Sequence, residues 1–215
     1  MKMTIDEEVQ DKKAKQALKP LSAMRPATLN KLEKAVLLLF SNHDPTEVSM
    51  IQIATTANMS LKTLYKYFGD KQTIIYTILN RVLGRLAVRM IDHLQGIDSV
   101  RDRLRKTLWV FFDFIDKSPD AMMLLSTAVP ASRYREIDIY DNKELVNTFM
   151  QVLGDGQREG ILNNKVPLYT LFDVYIGFIT RIGLMHIIRR NPDPLNDRFD
   201  ELFIILWGAI KQPDA

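Results

Sequence analysis

The chain contains no cysteine, which excludes disulfide bonds, thiolate metal sites and cysteine nucleophiles. Glycine and proline are sparse, with 9 of each in 215 residues, and no segment alternates apolar with polar residues for long enough to indicate a sheet. No stretch approaches the roughly 18 uncharged apolar residues of a membrane span, and the N-terminal residues lack the apolar run of a signal peptide. These absences predict an all-α, cytoplasmic protein without membrane contacts.

The groups that an enzyme needs are also missing from the sequence. We find no nucleophile beside a base, no glycine-rich phosphate loop and no metal-ligand spacing. The three histidines lie far apart, and His186 has no acidic or histidine neighbour at ligand spacing. We therefore expect no catalytic residues, no metal site and no cofactor.

Positive charge is concentrated in the first third of the chain. The net charge is only +3, but residues up to Gly84 hold 12 Lys and Arg against 8 Asp and Glu, whereas the remainder holds 17 against 18. A basic N-terminal third fits nucleic-acid binding, although a solvated basic surface without a partner would have the same composition.

Three segments with different roles are predicted. Residues 1–25 are polar and carry little apolar periodicity, so we expect a mobile arm. Such an arm is either a tail without function or a basic segment that contacts DNA. Its lysines are Lys12, Lys13, Lys15 and Lys19. We expect residues 26–84 to form a three-helix helix-turn-helix domain with the start of a fourth helix, and residues 85–215 to form a helical ligand-binding and dimerisation bundle, about nine helices in all.

Apolar periodicity and capping residues define the first three helices. The first helix starts after Pro26 and ends at the turn-forming sequence SNHDP. Ser49 and Gln52 have the spacing of a capping box that begins a second helix. Asn58 can adopt the left-handed conformation that ends it, and Ser60 can cap a third helix. Only about three residues separate the second and third helices, so they must cross at a steep angle.

The third helix, LKTLYKYF, is amphipathic at about 100° per residue. Its apolar face consists of Leu61, Leu64 and Phe68. The opposite, polar face consists of Lys62, Thr63 and Lys66, with Tyr65 and Tyr67 on the borders. A helix of about eight residues is not stable alone, so its apolar face must pack on the first two helices. The polar ridge then points outward and fits a groove of DNA.

The string IATTANMSLKTLYKYFGDK resembles the DNA-binding signature of the TetR family of bacterial transcriptional regulators. The similarity covers about residues 27–80. Its most specific positions are Ser60, Thr63, Leu64, Tyr65, Tyr67, Phe68 and Lys71. Asn58 stands where the family usually has glycine, but asparagine tolerates the same backbone conformation. The downstream region matches the family only in length and helical character.

The resemblance implies that the third helix lies in the major groove of double-stranded operator DNA. By the same resemblance Tyr65, Tyr67 and Lys71 grip phosphates, whereas the alternative for the tyrosines is an aromatic ring at the edge of the core. Candidate base readers are Lys62, Thr63 and Lys66, because lysine can donate to guanine and the threonine methyl can pack on a thymine methyl, but each can merely touch phosphate. Ser49 can also reach a phosphate, although capping alone explains it, and Ser60 completes the candidate DNA-binding residues.

Beyond Asp98 the sequence predicts five helices, near residues 99–117, 119–128, 131–159, 168–190 and 196–211. The resemblance implies a ligand cavity inside this bundle and a homodimer formed through the last two helices. Our candidate ligand-binding residues are Trp109, Phe112, Met122, Phe149, Phe172, Tyr175 and Arg181. Aromatic and methionine side chains at helical spacing are more often plain core, so the identity of the cavity walls stays open.

Asp173, Gly177 and Arg181 lie four residues apart on one stripe of a strongly apolar helix. Burying a polar group without a partner costs roughly 2 kcal/mol or more. The two charged side chains therefore orient a ligand, pair across a dimer interface or remain solvated. Gly177 and Gly183 indicate a close helix approach.

Together these features predict a ligand-responsive, DNA-binding transcriptional regulator. We expect a repressor that is released from its operator by a small, largely apolar effector of unknown identity. The alternative is a dimeric small-molecule-binding module without sequence-specific DNA recognition.

Overall fold

A computed structural model of the chain describes residues 18–127 and 143–213, apart from the side chains of residues 143–145. This part of the chain is all-α, as predicted, and contains nine α-helices. They are α1 (Pro26–Asn42), α2 (Met50–Thr56), α3 (Leu61–Phe68), α4 (Lys71–Leu94), α5 (Val100–Lys117), α6 (Pro119–Thr127), α7 (Lys143–Arg158), α8 (Leu168–Ile188) and α9 (Phe199–Ile210). The described residues also form two short 3-10 helices, Leu21–Ala23 and Leu195–Arg198.

Most predicted helix bounds agree with the observed ones. The five helices predicted beyond Asp98 correspond to α5, α6, α7, α8 and α9, and the last of them is preceded by the 3-10 helix Leu195–Arg198. The helix predicted over residues 131–159 is described from Lys143 onward. Its predicted N-terminal part lies outside the described residues.

The chain divides into two compact units between Ile78 and Leu79. The division falls inside α4, so this continuous helix begins in the N-terminal unit and ends in the C-terminal unit. The boundary that the sequence suggested, after residue 84, lies in the same helix.

The core of the N-terminal unit joins apolar side chains from its first three helices. Val36 and Phe40 of α1, Ile53 of α2 and Phe68 of α3 are all buried. α2 packs on both α1 and α3. Since none of these helices is long, their mutual burial is what holds each of them in place.

Residues 18–25, which we call the arm segment, pack against this unit. Met24 is buried, and the main-chain N–H of Lys19 donates a hydrogen bond to the carbonyl oxygen of Lys66 at 3.1 Å. We expected a mobile arm through residue 25. The arm segment instead packs on the N-terminal unit, because its main chain bonds to a residue remote in sequence and Met24 is buried. Lys12, Lys13 and Lys15 lie outside the described residues.

The C-terminal unit has its own core around α5 and α8. Leu108 and Phe112 of α5 cluster with Tyr175 of α8 and Leu206 of α9. The Tyr175 hydroxyl donates a hydrogen bond to the carbonyl oxygen of Leu104 at 2.5 Å. Burial raises the pKa of this hydroxyl well above its ordinary value. The hydrogen bond gives the buried polar end of the ring a partner.

Among the described helices, α8 alone is long and apolar enough to cross a membrane, with a mean hydropathy of 1.5. One side of α8 packs on α5, α6, α7 and α9. Tyr169, Val174 and Ile188 are exposed on the remaining surface of the helix. Its composition thus reflects a bundle helix that also presents apolar side chains outward.

Two glycines of α8 have different surroundings. A Cβ added at Gly183 would lie 2.5 Å from Cδ1 of Ile115, a buried residue of α5. A Cβ added at Gly177 would have no neighbour within 4 Å among the described residues. The predicted close helix approach is therefore confirmed at Gly183, whereas no described residue of the same chain approaches Gly177.

Alanine substitutions at these glycines are expected to change the free energy of unfolding in opposite directions. Gly177→Ala should raise it by up to about 1 kcal/mol, because alanine favours the helix and meets open space. Gly183→Ala should lower it by about 1–3 kcal/mol, because Ile115 must move within a packed core. Urea unfolding of both variants at equal protein concentration measures the difference. Equal stabilities would contradict the close packing of α5 on α8.

Candidate nucleic-acid interface and effector cavity

The helix-turn-helix begins with a capping box at the start of α2. The Ser49 Oγ accepts a hydrogen bond from the main-chain N–H of Gln52 at 3.2 Å. In return the Gln52 Oε1 accepts one from the Ser49 N–H at 2.8 Å. Both bonds satisfy N–H groups that have no partner within the helix, and they confirm the predicted cap.

Asn58 makes the tight turn between α2 and α3. Its φ is +53°, in the left-handed region. The N–H groups of Asn58 and the following residue donate to the carbonyl oxygens of Thr55 and Ala54 at 3.1 and 2.9 Å. This Schellman motif usually contains glycine, so asparagine fills the position as predicted. Ser60 then begins α3 by accepting a hydrogen bond from the Thr63 N–H at 3.1 Å.

α3 buries one face and exposes the other. Leu64 and Phe68 are 0% and 1% exposed, whereas Tyr65 is 50% exposed. Lys62 and Lys66 also face solvent. The predicted arrangement, with apolar residues inward and a polar ridge outward, is confirmed for these five residues.

The other predicted residues of α3 make contacts within the N-terminal unit. Thr63 is half-buried, and its hydroxyl oxygen lies 2.7 Å from that of Ser60. Tyr67 is half-buried, and its hydroxyl donates a hydrogen bond to the Ala23 carbonyl oxygen at 3.3 Å. Leu61 is half-buried rather than part of the closed core. The Tyr67 contact was not predicted, because Ala23 is remote in sequence and belongs to the arm segment.

Lys71, the first residue of α4, has two partners inside the N-terminal unit. Its Nζ donates hydrogen bonds to the carbonyl oxygens of Pro45 and Val48, each at 2.7 Å. A lysine ammonium has three N–H groups, so these bonds occupy two of them. Lys71 therefore fixes the segment between α1 and α2, and only its third N–H is available to a phosphate.

The C-terminal unit contains a partly open, largely apolar cavity of about 530 Å³. Its lining residues come from α4, α5, α6, α7 and α8. The volume lies within the usual range of small-molecule sites. The α4 contribution consists of Leu83, Leu86, Met90 and Leu94. These four residues were not among our candidates, although the apolar periodicity of α4 could have indicated them.

Three predicted ligand-binding residues, Phe149, Phe172 and Arg181, line this cavity. The other candidates, which are Trp109, Phe112, Met122 and Tyr175, do not line it. Phe112, Met122 and Tyr175 are buried in the core cluster instead. Trp109 packs against the buried cluster of Leu86, Met90 and Val110, and Lys106 Nζ lies 4.3 Å from the centre of its ring. Each of these four side chains lies on a helix face that meets other protein side chains rather than the cavity.

The predicted stripe of α8 faces the cavity. Asp173, Gly177 and Arg181 all line it, together with the hydroxyl-bearing Thr180. Neither Asp173 nor Arg181 forms an ion pair with another described residue. Both side chains are also exposed to solvent. Two exposed charged groups of opposite sign, about 12 Å apart along the helix axis, therefore border an apolar space.

A nearly buried carboxylate links α4 to α5. Asp113 pairs with Arg89 of α4 and, at 2.9 Å, with Lys117 of its own helix. Burial acts to raise the pKa of Asp113, but the hydrogen bonds and charges of Lys117 and Arg89 outweigh burial and hold this pKa below its ordinary value. The Asp113 carboxylate is therefore ionised at neutral pH and fixes this part of α4.

His186 has an acidic neighbour in space that sequence spacing does not reveal. Its Nε2 lies 3.7 Å from Asp116 Oδ1. The described part of the chain contains no group of three or more His, Cys, Asp or Glu side chains arranged to hold a metal ion.

Comparisons with curated proteins identify transcriptional regulators. No protein-family model matches the chain. The HTH-type transcriptional regulator HbdR of Aromatoleum sp. (strain CIB) is 26% identical over 153 residues, which cover 71% of this chain and 67% of HbdR. The putative mycofactocin biosynthesis transcriptional regulator MftR of Mycobacterium tuberculosis is 29% identical over 90 residues, which cover 42% of this chain and 45% of MftR.

Solved structures show the same fold. The fatty acid degradation regulator FadR of Bacillus halodurans matches with a TM-score of 0.75 and 14% identity, over 86% of this chain and 96% of FadR. A TetR family regulator of Marinobacter aquaeolei VT8 matches with a TM-score of 0.71 and 16% identity, over 87% and 97% of the two chains. FadR of Bacillus subtilis in complex with stearoyl-CoA matches with a TM-score of 0.70 and 13% identity, over 84% and 98%.

The two hydrogen bonds of Lys71 make it important for the stability of the N-terminal unit. Lys71→Met is expected to lower the free energy of unfolding by about 1.5–3 kcal/mol, because it removes charge-assisted bonds to two carbonyl groups. Lys62→Met is the control, since Lys62 is an exposed lysine of α3. Urea unfolding measures both variants, and equal effects would contradict the fixing role of Lys71.

The capped α2, the left-handed turn at Asn58 and the outward ridge of α3 agree with the signature that the sequence shows. The curated relatives are HTH-type transcriptional regulators, and a solved TetR family regulator has the same fold. The chain therefore has the fold of TetR family regulators and is similar in sequence to HTH-type transcriptional regulators.

Proposed function

We propose that this regulator represses transcription as a cytoplasmic homodimer and leaves its operator when a small, largely apolar effector enters the cavity. The outward ridge of α3 is the observation that supports DNA binding. Lys62, Tyr65 and Lys66 face solvent there, while Leu64 and Phe68 hold the helix on the core. An exposed helix with this polar face can enter the major groove of DNA.

The proposed role of each α3 side chain at the DNA follows from its exposure and from the hydrogen-bonding groups that it has free. In this proposal Tyr65 grips a phosphate, and Lys62 and Lys66 reach base edges or phosphates. Thr63 has less freedom, because its hydroxyl already contacts Ser60. Its methyl group remains suited to a thymine methyl.

Three further residues support the position of the reading helix. Ser49 and Ser60 are exposed caps at the N-termini of α2 and α3, where phosphates are favoured. In this proposal Lys71 reaches a phosphate only through its third N–H, since Pro45 and Val48 take the other two.

Dimerisation through α8 and α9 is supported by exposed apolar side chains on both helices. Ile204 and Ile205 of α9 are 67% and 59% exposed, and Tyr169 of α8 is 64% exposed. Exposed apolar clusters of this kind mark protein interfaces. A twofold dimer can place two α3 helices in successive major grooves when they are about 34 Å apart.

Effector release is supported by the two ends of α4. The helix begins at Lys71, which is bonded to the segment between α1 and α2, and four of its later residues line the cavity. If an effector binds more tightly when α4 is displaced, its binding weakens DNA binding. DNA binding then weakens effector binding by the same factor. Apolar walls with Asp173 and Arg181 at the border favour an apolar effector with a polar end.

Variants of the α3 ridge test the DNA-binding proposal. Tyr65→Phe should weaken binding to all sequences alike, because a phosphate contact carries no sequence information. Lys62→Ala should cost about 1–3 kcal/mol mainly at one base pair. Fluorescence anisotropy with a duplex from upstream of the gene, and with single-base-pair variants of it, measures both effects.

The matched control for Lys62→Ala is Lys34→Ala, which changes an exposed lysine of α1. This control should not reproduce the pattern. Wild-type protein that binds the upstream duplex no better than unrelated DNA, with all binding erased by salt, would favour a binding module without sequence-specific recognition.

Filling the cavity tests effector release. Gly177→Phe adds a ring where no described atom lies within 4 Å of the new Cβ, so folding and operator affinity should be retained. Stearoyl-CoA is the trial effector, because FadR of Bacillus subtilis has been crystallised with it. The variant should need about tenfold more stearoyl-CoA than wild type for release, which corresponds to ~1.4 kcal/mol.

The control is Gln151→Phe, which adds the same ring at an exposed position of α7 outside the cavity. It should respond as wild type does. Anisotropy of the operator complex during titration gives the measurement. Wild-type protein that is saturated with stearoyl-CoA but binds the operator as tightly as ligand-free protein would contradict release.

A further inference from the structure

The arm segment is attached to the recognition helix α3 by contacts at three places. The Lys19 main-chain N–H donates to the Lys66 carbonyl oxygen at 3.1 Å, and the Tyr67 hydroxyl donates to the Ala23 carbonyl oxygen at 3.3 Å. At the end of α3, Leu18 Cδ2 would lie 3.4 Å from a Cβ added at Gly69. These contacts hold Lys19 beside α3 through its main chain, independently of its side chain.

Attachment of the arm segment brings like charges together. The pKa of Lys66 lies below its ordinary value, because the adjacent Lys19 side chain repels its charge, and Lys62 adds to this repulsion. Among the described residues, no acidic side chain forms an ion pair with any of these three lysines. The folded chain therefore maintains a cluster of positive charge at the surface of α3.

Exposed lysine side chains are flexible and would separate if repulsion alone acted on them. Here the main-chain hydrogen bond between Lys19 and Lys66 keeps their backbone positions close, which limits how far the two side chains can separate. An anion between the two ammonium groups would remove the repulsion and gain charge-assisted hydrogen bonds. Because α3 is the helix that meets DNA in the proposed function, the anion closest to this cluster in the complex is a backbone phosphate.

We propose that Lys19 and Lys66 together bind a phosphate of the DNA backbone, so that the arm segment forms part of the DNA interface. This inference rests on the proposed DNA-binding function. In this proposal the phosphate contact of Lys19 does not depend on the DNA sequence. The arm segment then adds affinity for DNA to that supplied by the helix-turn-helix.

The salt dependence of DNA binding tests this contact directly. Affinity of wild-type protein and of Lys19→Ala for a mixed-sequence duplex and for the upstream duplex is measured by anisotropy across a salt series. Loss of one phosphate contact should reduce the slope of log K against log salt by about 0.9. Wild-type protein should therefore lose about 3.5-fold more affinity than the variant when salt rises fourfold. The change should be the same on both duplexes.

Two variants separate charge from structure. Lys19→Arg keeps the charge and the main-chain bond and should keep the wild-type slope. Lys165→Ala removes the same charge from the exposed loop between α7 and α8 and should also keep the wild-type slope.

A Lys19→Ala variant that retains the wild-type slope would overturn the phosphate contact, even if its affinity falls, because a merely structural arm segment would leave the slope unchanged. Sequence-specific binding by wild type would still support the proposed function in that case. Wild-type protein that binds neither duplex would overturn both.

Discussion

The N-terminal unit depends on how one short helix is held in place. α3 has eight residues, too few for a helix to be stable alone in water, so it persists only because Leu64 and Phe68 are buried among α1 and α2. The same burial fixes the rotation of the helix and therefore the direction of Lys62 and Tyr65. The stability of α3 and the orientation of its polar ridge therefore have the same cause. A change that loosens Leu64 also disorients the side chains proposed to contact DNA.

Local signals account for the parts of this unit that the sequence could predict. The capping box at Ser49 and the left-handed turn at Asn58 involve residues only a few positions apart, so propensity and spacing were sufficient. Tyr67 and Lys71 show the opposite case. Their partners, such as Ala23 and Pro45, are remote in sequence, and a hydroxyl or ammonium group has the same chemistry whether it binds a phosphate or a carbonyl of its own chain. Only the tertiary structure reveals these partners within the chain.

The cavity shows a second limit of sequence reasoning. Phe149 lines the cavity, whereas Tyr175 lies in the core, and the ring centroids of the two are only 4.8 Å apart. Composition and helical spacing cannot separate a core ring from one at a cavity wall, because both are apolar and both lie on inward faces. The polar stripe was easier to predict. Asp173 and Arg181 interrupt an apolar helix, and a charge in such a position needs water or a partner.

In the proposed release, α4 carries a change in the cavity to the helix-turn-helix. Lys71 at its start forms two charge-assisted hydrogen bonds, to the carbonyl oxygens of Pro45 and Val48. If a bound effector displaces α4, these bonds move the segment between α1 and α2 with it. Since α2 packs on α1 and α3, α3 then moves with that segment in this proposal.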